Sequence, residues 1–152
     1  MQKITPFLWF NDNALEAAEF YSSVFKKSAI NNITHMGQTE TVMSVSFELE
    51  GQAFHAMNGG PHFTFSPAIS LFVDCENQEE VDELWEKLSA GGEKSRCGWL
   101  KDKFGLSWQI IPRKMSQLLR DPNPGKAQAV MNAMLQMNKI EIAALEQVYK
   151  EH

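Results

Sequence analysis

Long apolar runs are what this sequence most lacks. Its opening, MQKITPFLWFND, carries one lysine and a short apolar stretch that Asn11 and Asp12 break. That is too short for a signal peptide or a membrane span, so a cytoplasmic protein with no membrane partner is expected. Cationic charge is also scarce, with 14 Lys and Arg against 19 Asp and Glu and a formal net charge of −5. Nucleic-acid binding needs a basic stripe to displace counterions, so no nucleic-acid partner is expected. Cysteine is nearly absent: Cys75 and Cys97 stand at no metal-like spacing and, without an export signal, read as free thiols. No segment is of low complexity. What remains is 152 residues, 43% apolar and 22% charged, enough for one globular domain with a real core.

What is present is a repeat. Residues 4–26, ITPFLWFNDNALEAAEFYSSVFK, run from an apolar strand through a polar break into helical spacing. Residues 69–90, ISLFVDCENQEEVDELWEKLSA, do the same. At one constant offset Ala17, Phe20, Tyr21 and Val24 match Val81, Leu84, Trp85 and Leu88. Each set falls at i, i+3, i+4 and i+7, a single apolar stripe on a helix. Asp12 and Glu16 near one helix start, and Glu76, Glu79 and Glu80 near the other, suit the helix dipole.

Strand signals follow each helix. In the first unit they are AINNITHM (29–36), TVMSVSFEL (41–49) and, past a tight turn at Glu50-Gly51, QAFHAMN. In the second they are KSRCGWL, a turn at Lys101-Asp102, and LSWQIIP closed by Pro112. Each unit reads β-α-β-β-β. The predicted fold is α+β: two βαβββ modules, about 1–60 and 67–113, forming a curved mixed sheet with a concave pocket, inside a domain spanning 1–120. A helical tail over 121–152 is predicted as two helices broken at Asn138-Lys139. Its stripes, Ala127, Val130, Met131, Met134 and Leu135, then Ile142, Leu145 and Tyr149, are expected to cover the sheet or a partner subunit.

Period-two alternation sorts the strand side chains into faces. Leu106, Trp108 and Ile110 form the more apolar face of the last strand, expected to pack on helices, which turns Ser107 and Gln109 toward the concave side. By the same reasoning Thr5, Phe7 and Trp9 line that side from the first strand, and His55 and Met57 from the fourth. Ala68, Ser70 and Phe72 share a face in the first strand of the second unit. Outside this set, Cys97 lies beside Arg96 and near Lys94, cations that favour a thiolate, yet no partner marks it as a nucleophile. Cys75 reads as core, Asp102 as a turn cap, and His35 and His62 as solvated loop residues.

Paired βαβββ units resemble the vicinal oxygen chelate superfamily, which includes glyoxalase I, bleomycin-resistance proteins and extradiol dioxygenases. Within it, ITPFLWFND, NGGP, CGWLKDKFGLSWQI and the tail residues from Ala129 to Glu146 resemble the PhnB-like family, also labelled 3-demethylubiquinone-9 3-methyltransferase-like. The resemblance implies a homodimer and a small-molecule ligand. In superfamily enzymes it also implies a divalent metal (Zn, Ni, Mn or Fe) on the first and last strands of each unit. Those places fall here on Thr5, His55, Ala68 and Gln109, of which only His55 and Gln109 are serviceable ligands. A metal-free sequestering protein, a metal-dependent isomerase, lyase or dioxygenase, and an interaction protein working through its dimer surface all stay open. Methyl transfer is not expected, because Gly59-Gly60 and Gly91-Gly92 sit in turns of the wrong context for a nucleotide-binding loop.

Overall fold

The computed structural model describes residues 2–152 as two compact units, the first ending at Phe65 and the second running from Ser66 to His152. The first unit is β1 (Phe7–Phe10), α1 (Ala14–Val24), β2 (Ser28–His35), β3 (Val42–Leu49) and β4 (Gln52–Asn58). Its sheet has the order β1-β4-β3-β2, with β1 parallel to β4 and the other pairs antiparallel. Ala14, Ala17 and Ala18 are fully buried. Their small side chains let α1 lie close to the sheet, where Tyr21 meets Phe47 and Phe47 stacks on Phe54. Glu50 and Gly51 both take positive φ, which matches the strand twist and closes the β3–β4 hairpin in two residues.

Helix α1 is capped from a distance. Asn13 makes no side-chain cap. Instead Asn58, at the end of β4, accepts from the Ala14 amide at 2.8 Å and donates to the Val42 carbonyl at 3.1 Å. One side chain thus satisfies an orphan helix amide and ties the helix start to β3.

The second unit is β5 (Leu71–Cys75), α2 (Gln78–Ser89), β6 (Glu93–Lys94), β7 (Trp99–Lys101), β8 (Ser107–Pro112), α3 (Arg113–Leu119), α4 (Pro124–Met134) and α5 (Ile142–Glu151). Its sheet order, β5-β8-β7-β6, repeats the first with β5 parallel to β8. Asn77 caps α2 by accepting from the Glu80 amide at 2.9 Å, and Glu80 reaches back to the Glu76 amide at 3.0 Å, close to a capping box. The predicted stripe Val81, Leu84, Trp85 and Leu88 is buried throughout. The α+β fold of two βαβββ modules is therefore the observed one, with each module forming its own hydrogen-bonded sheet.

Four details differ from the sequence pattern. Strand β1 begins at Phe7 and β5 at Leu71, so Thr5, Ala68 and Ser70 precede their ladders. Pro6 has no amide to offer, and the parallel ladder catches only its carbonyl, which accepts from the His55 amide at 2.9 Å. KSRCGWL is not one strand, because the amides of Cys97 and Gly98 donate to the Met137 and Asn138 carbonyls of the tail. The turn before β8 spans Asp102 to Gly105, closed by the Gly105 amide on the Asp102 carbonyl, rather than Lys101-Asp102. Finally a helix that the pattern did not mark, α3, follows Pro112 directly, while over 121–152 the tail forms the two expected helices, α4 and α5, on either side of Asn138-Lys139.

The tail packs on its own unit. Ile111, Met115, Leu118, Val130, Ile140 and Leu145 make one buried cluster. Gln78 at the start of α2 donates to the Ile140 carbonyl and accepts from the Ile142 amide, clamping the α4–α5 connection. Of the predicted α4 stripe only Val130 is fully buried, while Met131 and Leu135 remain exposed.

Candidate functional site

In each unit the helix covers one face of the sheet and leaves polar and aromatic side chains on the other. On the first sheet Phe7, His55 and Ser46 stand in register across β1, β4 and β3. Phe7 is 60% exposed, and its ring lies 5.8 Å from the His55 ring. Ser46 Oγ and His55 Nδ1 are hydrogen-bonded at 3.0 Å, which leaves Nε2 as the atom available to a ligand. One row along, Trp9, Met57 and Ser44 align. Trp9 donates its indole N–H to the Gly60 carbonyl at 2.9 Å and meets Phe63 edge-on at 5.0 Å. Gly59 is pressed so closely against the Trp9 ring that any Cβ there would overlap it.

The second sheet repeats this row with different chemistry. Phe72, Gln109 and Trp99 align across β5, β8 and β7. Phe72 is 54% exposed, and Gln109 donates through Nε2 to Ser70 Oγ at 3.0 Å, leaving Oε1 as a free acceptor. His55 and Gln109 therefore hold equivalent places, each opposite an exposed phenylalanine of its unit's first strand and each tethered by a serine hydroxyl.

The remaining expected site residues are distributed as follows. Thr5 is half-buried ahead of β1, and Ala68 lies exposed in a turn where its amide donates to Ser66 Oγ. Ser107 is 1% exposed and its hydroxyl has no partner among the described residues. Sequence reasoning passed over Ser46, Trp99 and Phe63. Nothing in the pattern SVSFEL separates Ser46 from Ser44, and only the β3–β4 register puts Ser46 beside His55.

Three other groups lie outside these rows. Asp102 is 2% exposed, and its carboxylate accepts from the Phe104 and Leu106 amides and the Trp108 indole. Cys97 takes φ +59 in the loop that meets the tail. Cys75 is fully buried, and burial, then the charge and hydrogen bonding of Glu80, push its thiol up to about 12. At pH 8 its thiolate is then about one part in ten thousand. A disulfide reagent added to the native protein is expected to titrate one thiol per chain, the half-buried Cys97, and to reach Cys75 only after denaturation. Two fast-reacting thiols in the native state would contradict that assignment.

A β-α-β-β-β unit used twice, each sheet backed by one helix, defines the glyoxalase, bleomycin-resistance and dioxygenase class, the vicinal oxygen chelate superfamily. FosX from Listeria monocytogenes, solved with Mn(II) and sulfate, shares the fold at a TM-score of 0.51 and 19% identity over 71% of this chain and 90% of its own. PA1353 from Pseudomonas aeruginosa shares it at 0.64 and 19% identity, over 74% and 98% of the two chains. The chain belongs to the PhnB-like family described as 3-demethylubiquinone-9 3-methyltransferase, whose family model matches residues 2–111. A putative 3-demethylubiquinone-9 3-methyltransferase, PhnB protein, from Bacillus cereus is 38% identical, with a TM-score of 0.68, over 73% of this chain and 99% of its own. No curated protein matches the chain. Among the described residues no helix is long and apolar enough to cross a membrane.

Proposed function

We propose that this chain binds a small, largely apolar molecule on the open faces of its two sheets, with His55 as the orienting polar group on the first sheet and Gln109 on the second. The observation that carries this reading is the repeated row: an exposed phenylalanine beside a polar side chain whose second atom a serine leaves free. Apolar surface with a few fixed polar atoms is the usual make-up of a small-molecule site. Phe7, Trp9, Met57 and Phe72 supply the apolar contact, with Thr5, Ser70 and Ser107 as polar neighbours in the sequence pattern.

The family resemblance implies a divalent metal, and the donors present do not fit one held tightly. The four expected places offer a hydroxyl (Thr5), an imidazole (His55), a methyl (Ala68) and an amide (Gln109). Among the described residues no three His, Cys, Asp or Glu gather as a metal site. Metal-free sequestration is therefore favoured over the metal-dependent isomerase, lyase or dioxygenase reading. Methyl transfer is disfavoured as well: Gly59-Gly60 packs on Trp9 and Gly91-Gly92 follows α2, and neither opens a helix after a parallel strand. The homodimer and the cytoplasmic location belong to the same proposal, supported by the resemblance and by composition.

The test pairs a planar aromatic probe, anilinonaphthalene sulfonate, with titrations of Ni, Zn and Mn. Saturable probe binding is expected, with His55→Ala and Phe7→Ala each weakening it about tenfold, the size of one lost hydrogen bond or ring contact. No metal should bind stoichiometrically. Stoichiometric metal that His55→Ala abolishes would move the conclusion to the metal-dependent reading. Probe affinity unchanged in both variants would remove the site from this face.

A further inference from the structure

A groove lies in the first unit and reaches the sheet-face residues only at Met57. It is an open groove of about 760 Å³ where the start of α1, the β2–β3 turn and the end of β4 converge. Its apolar wall is Met36, Val42, Met43 and Met57, and its rim carries Asp12 and Glu16. Met36 is 57% exposed and Met43 44%, so two of these thioethers face water. No lysine, arginine or histidine lines the groove, and among the described residues no salt bridge engages Asp12 or Glu16. The walls are braced, because Asn58 bonds both the α1 start and β3, and the Gly59 amide donates to the Phe10 carbonyl at 2.8 Å.

We propose that this groove binds an amphiphilic cation, a quaternary ammonium or protonated amine carried on an apolar body. Polarizable methionine side chains adapt to an alkyl or N-methyl surface without demanding a fixed shape. The two carboxylates select the charge: a cation gains attraction from both, whereas an anion of the same shape meets repulsion. The volume falls in the range of roughly 300–1,000 Å³ typical of small-ligand sites. The groove shares Met57 with the sheet-face site, but neither His55 nor Gln109 lines it, so the variants that test the two readings are different.

Decyltrimethylammonium is the probe, compared by calorimetry below its micellar concentration with decyl sulfate and decyl maltoside. The expected result is one saturable cation site per chain, at least fivefold tighter than either comparison ligand. It should weaken as salt rises from about 0.01 M to about 0.1 M, where screening shortens from about 30 Å to about 10 Å. Asp12→Asn with Glu16→Gln should lower cation affinity about fivefold or more, from two partly exposed charge contacts. Glu79→Gln with Glu93→Gln removes equal charge from the second unit and should leave affinity unchanged. Met43→Thr, at an exposed strand position, keeps the fold and should weaken binding about threefold. Equal affinity for all three decyl ligands, or equal losses from the two carboxylate pairs, would overturn the proposal.

Discussion

Asp102→Asn is expected to destabilise the second unit by about 2–4 kcal/mol, the range for breaking a buried network of charge-assisted hydrogen bonds. The side chain is nearly isosteric, so the cost isolates hydrogen-bond polarity and charge. One carboxylate oxygen accepts from the Phe104 and Leu106 amides at 2.9 and 3.0 Å, and the other accepts from the Trp108 indole at 2.9 Å. An asparagine must point its NH2 either at those two amides or at the indole N–H. Either way donor faces donor in a site that is 2% exposed, and water cannot repair it. The same turn is closed by the Gly105 amide on the Asp102 carbonyl and sets where β8 begins. A thermal melt followed by near-ultraviolet dichroism should show the midpoint lowered by about 5–15 °C. A midpoint within a degree or so of the parent would show that the carboxylate does not anchor the turn.

The second large effect is expected at Gly98. Its φ of +84 already disfavours any side chain, and a Cβ there would stand 2.7 Å from Ile111 Cδ1, 3.0 Å from the Ile110 carbonyl and 3.2 Å from Ile140 Cγ1. The residue sits where two hydrogen bonds meet, accepting from the Ile110 amide at 2.7 Å and donating to the Asn138 carbonyl at 2.8 Å. Gly98→Ala therefore combines left-handed backbone strain with crowding of the tail cluster, about 2–4 kcal/mol together. Because the crowded atoms belong to β8 and to the α4–α5 connection, the loss should fall on the tail. Hydrogen exchange should quicken in α4 and α5 while the amides of β3 and β4 in the first unit keep their protection. Protection lost equally in both units would refute a tail-specific role for this glycine.

Much of the fold was legible because it rests on periodicity. Helix α2 buries the stripe that its spacing marks, α1 buries Ala17, Tyr21 and Val24 of its own with Phe20 half-buried, and β3 and β4 lie where alternation and the Glu50-Gly51 turn put them. Phe7, His55, Phe72 and Gln109 were likewise readable as residues of the face opposite the helices, since strand parity needs no long-range information. The boundaries that failed, at Thr5, Ser70 and Cys97, are those where a ladder depends on a donor or acceptor from elsewhere. Pro6 withholds an amide, and the Cys97 and Gly98 amides are taken by the tail.

The sequence by itself determined that the chain is a doubled β-α-β-β-β unit with a helical tail, because hydrophobic period and turn chemistry are local properties. Tertiary structure alone decided the rest. It set Ser46 against His55 and Ser70 against Gln109, so that each polar group turns one atom outward. It made Asn58 the cap of a helix 44 residues away and buried Asp102 beneath Trp108. Each depends on cross-strand register or on contact between distant segments, which residue spacing does not encode.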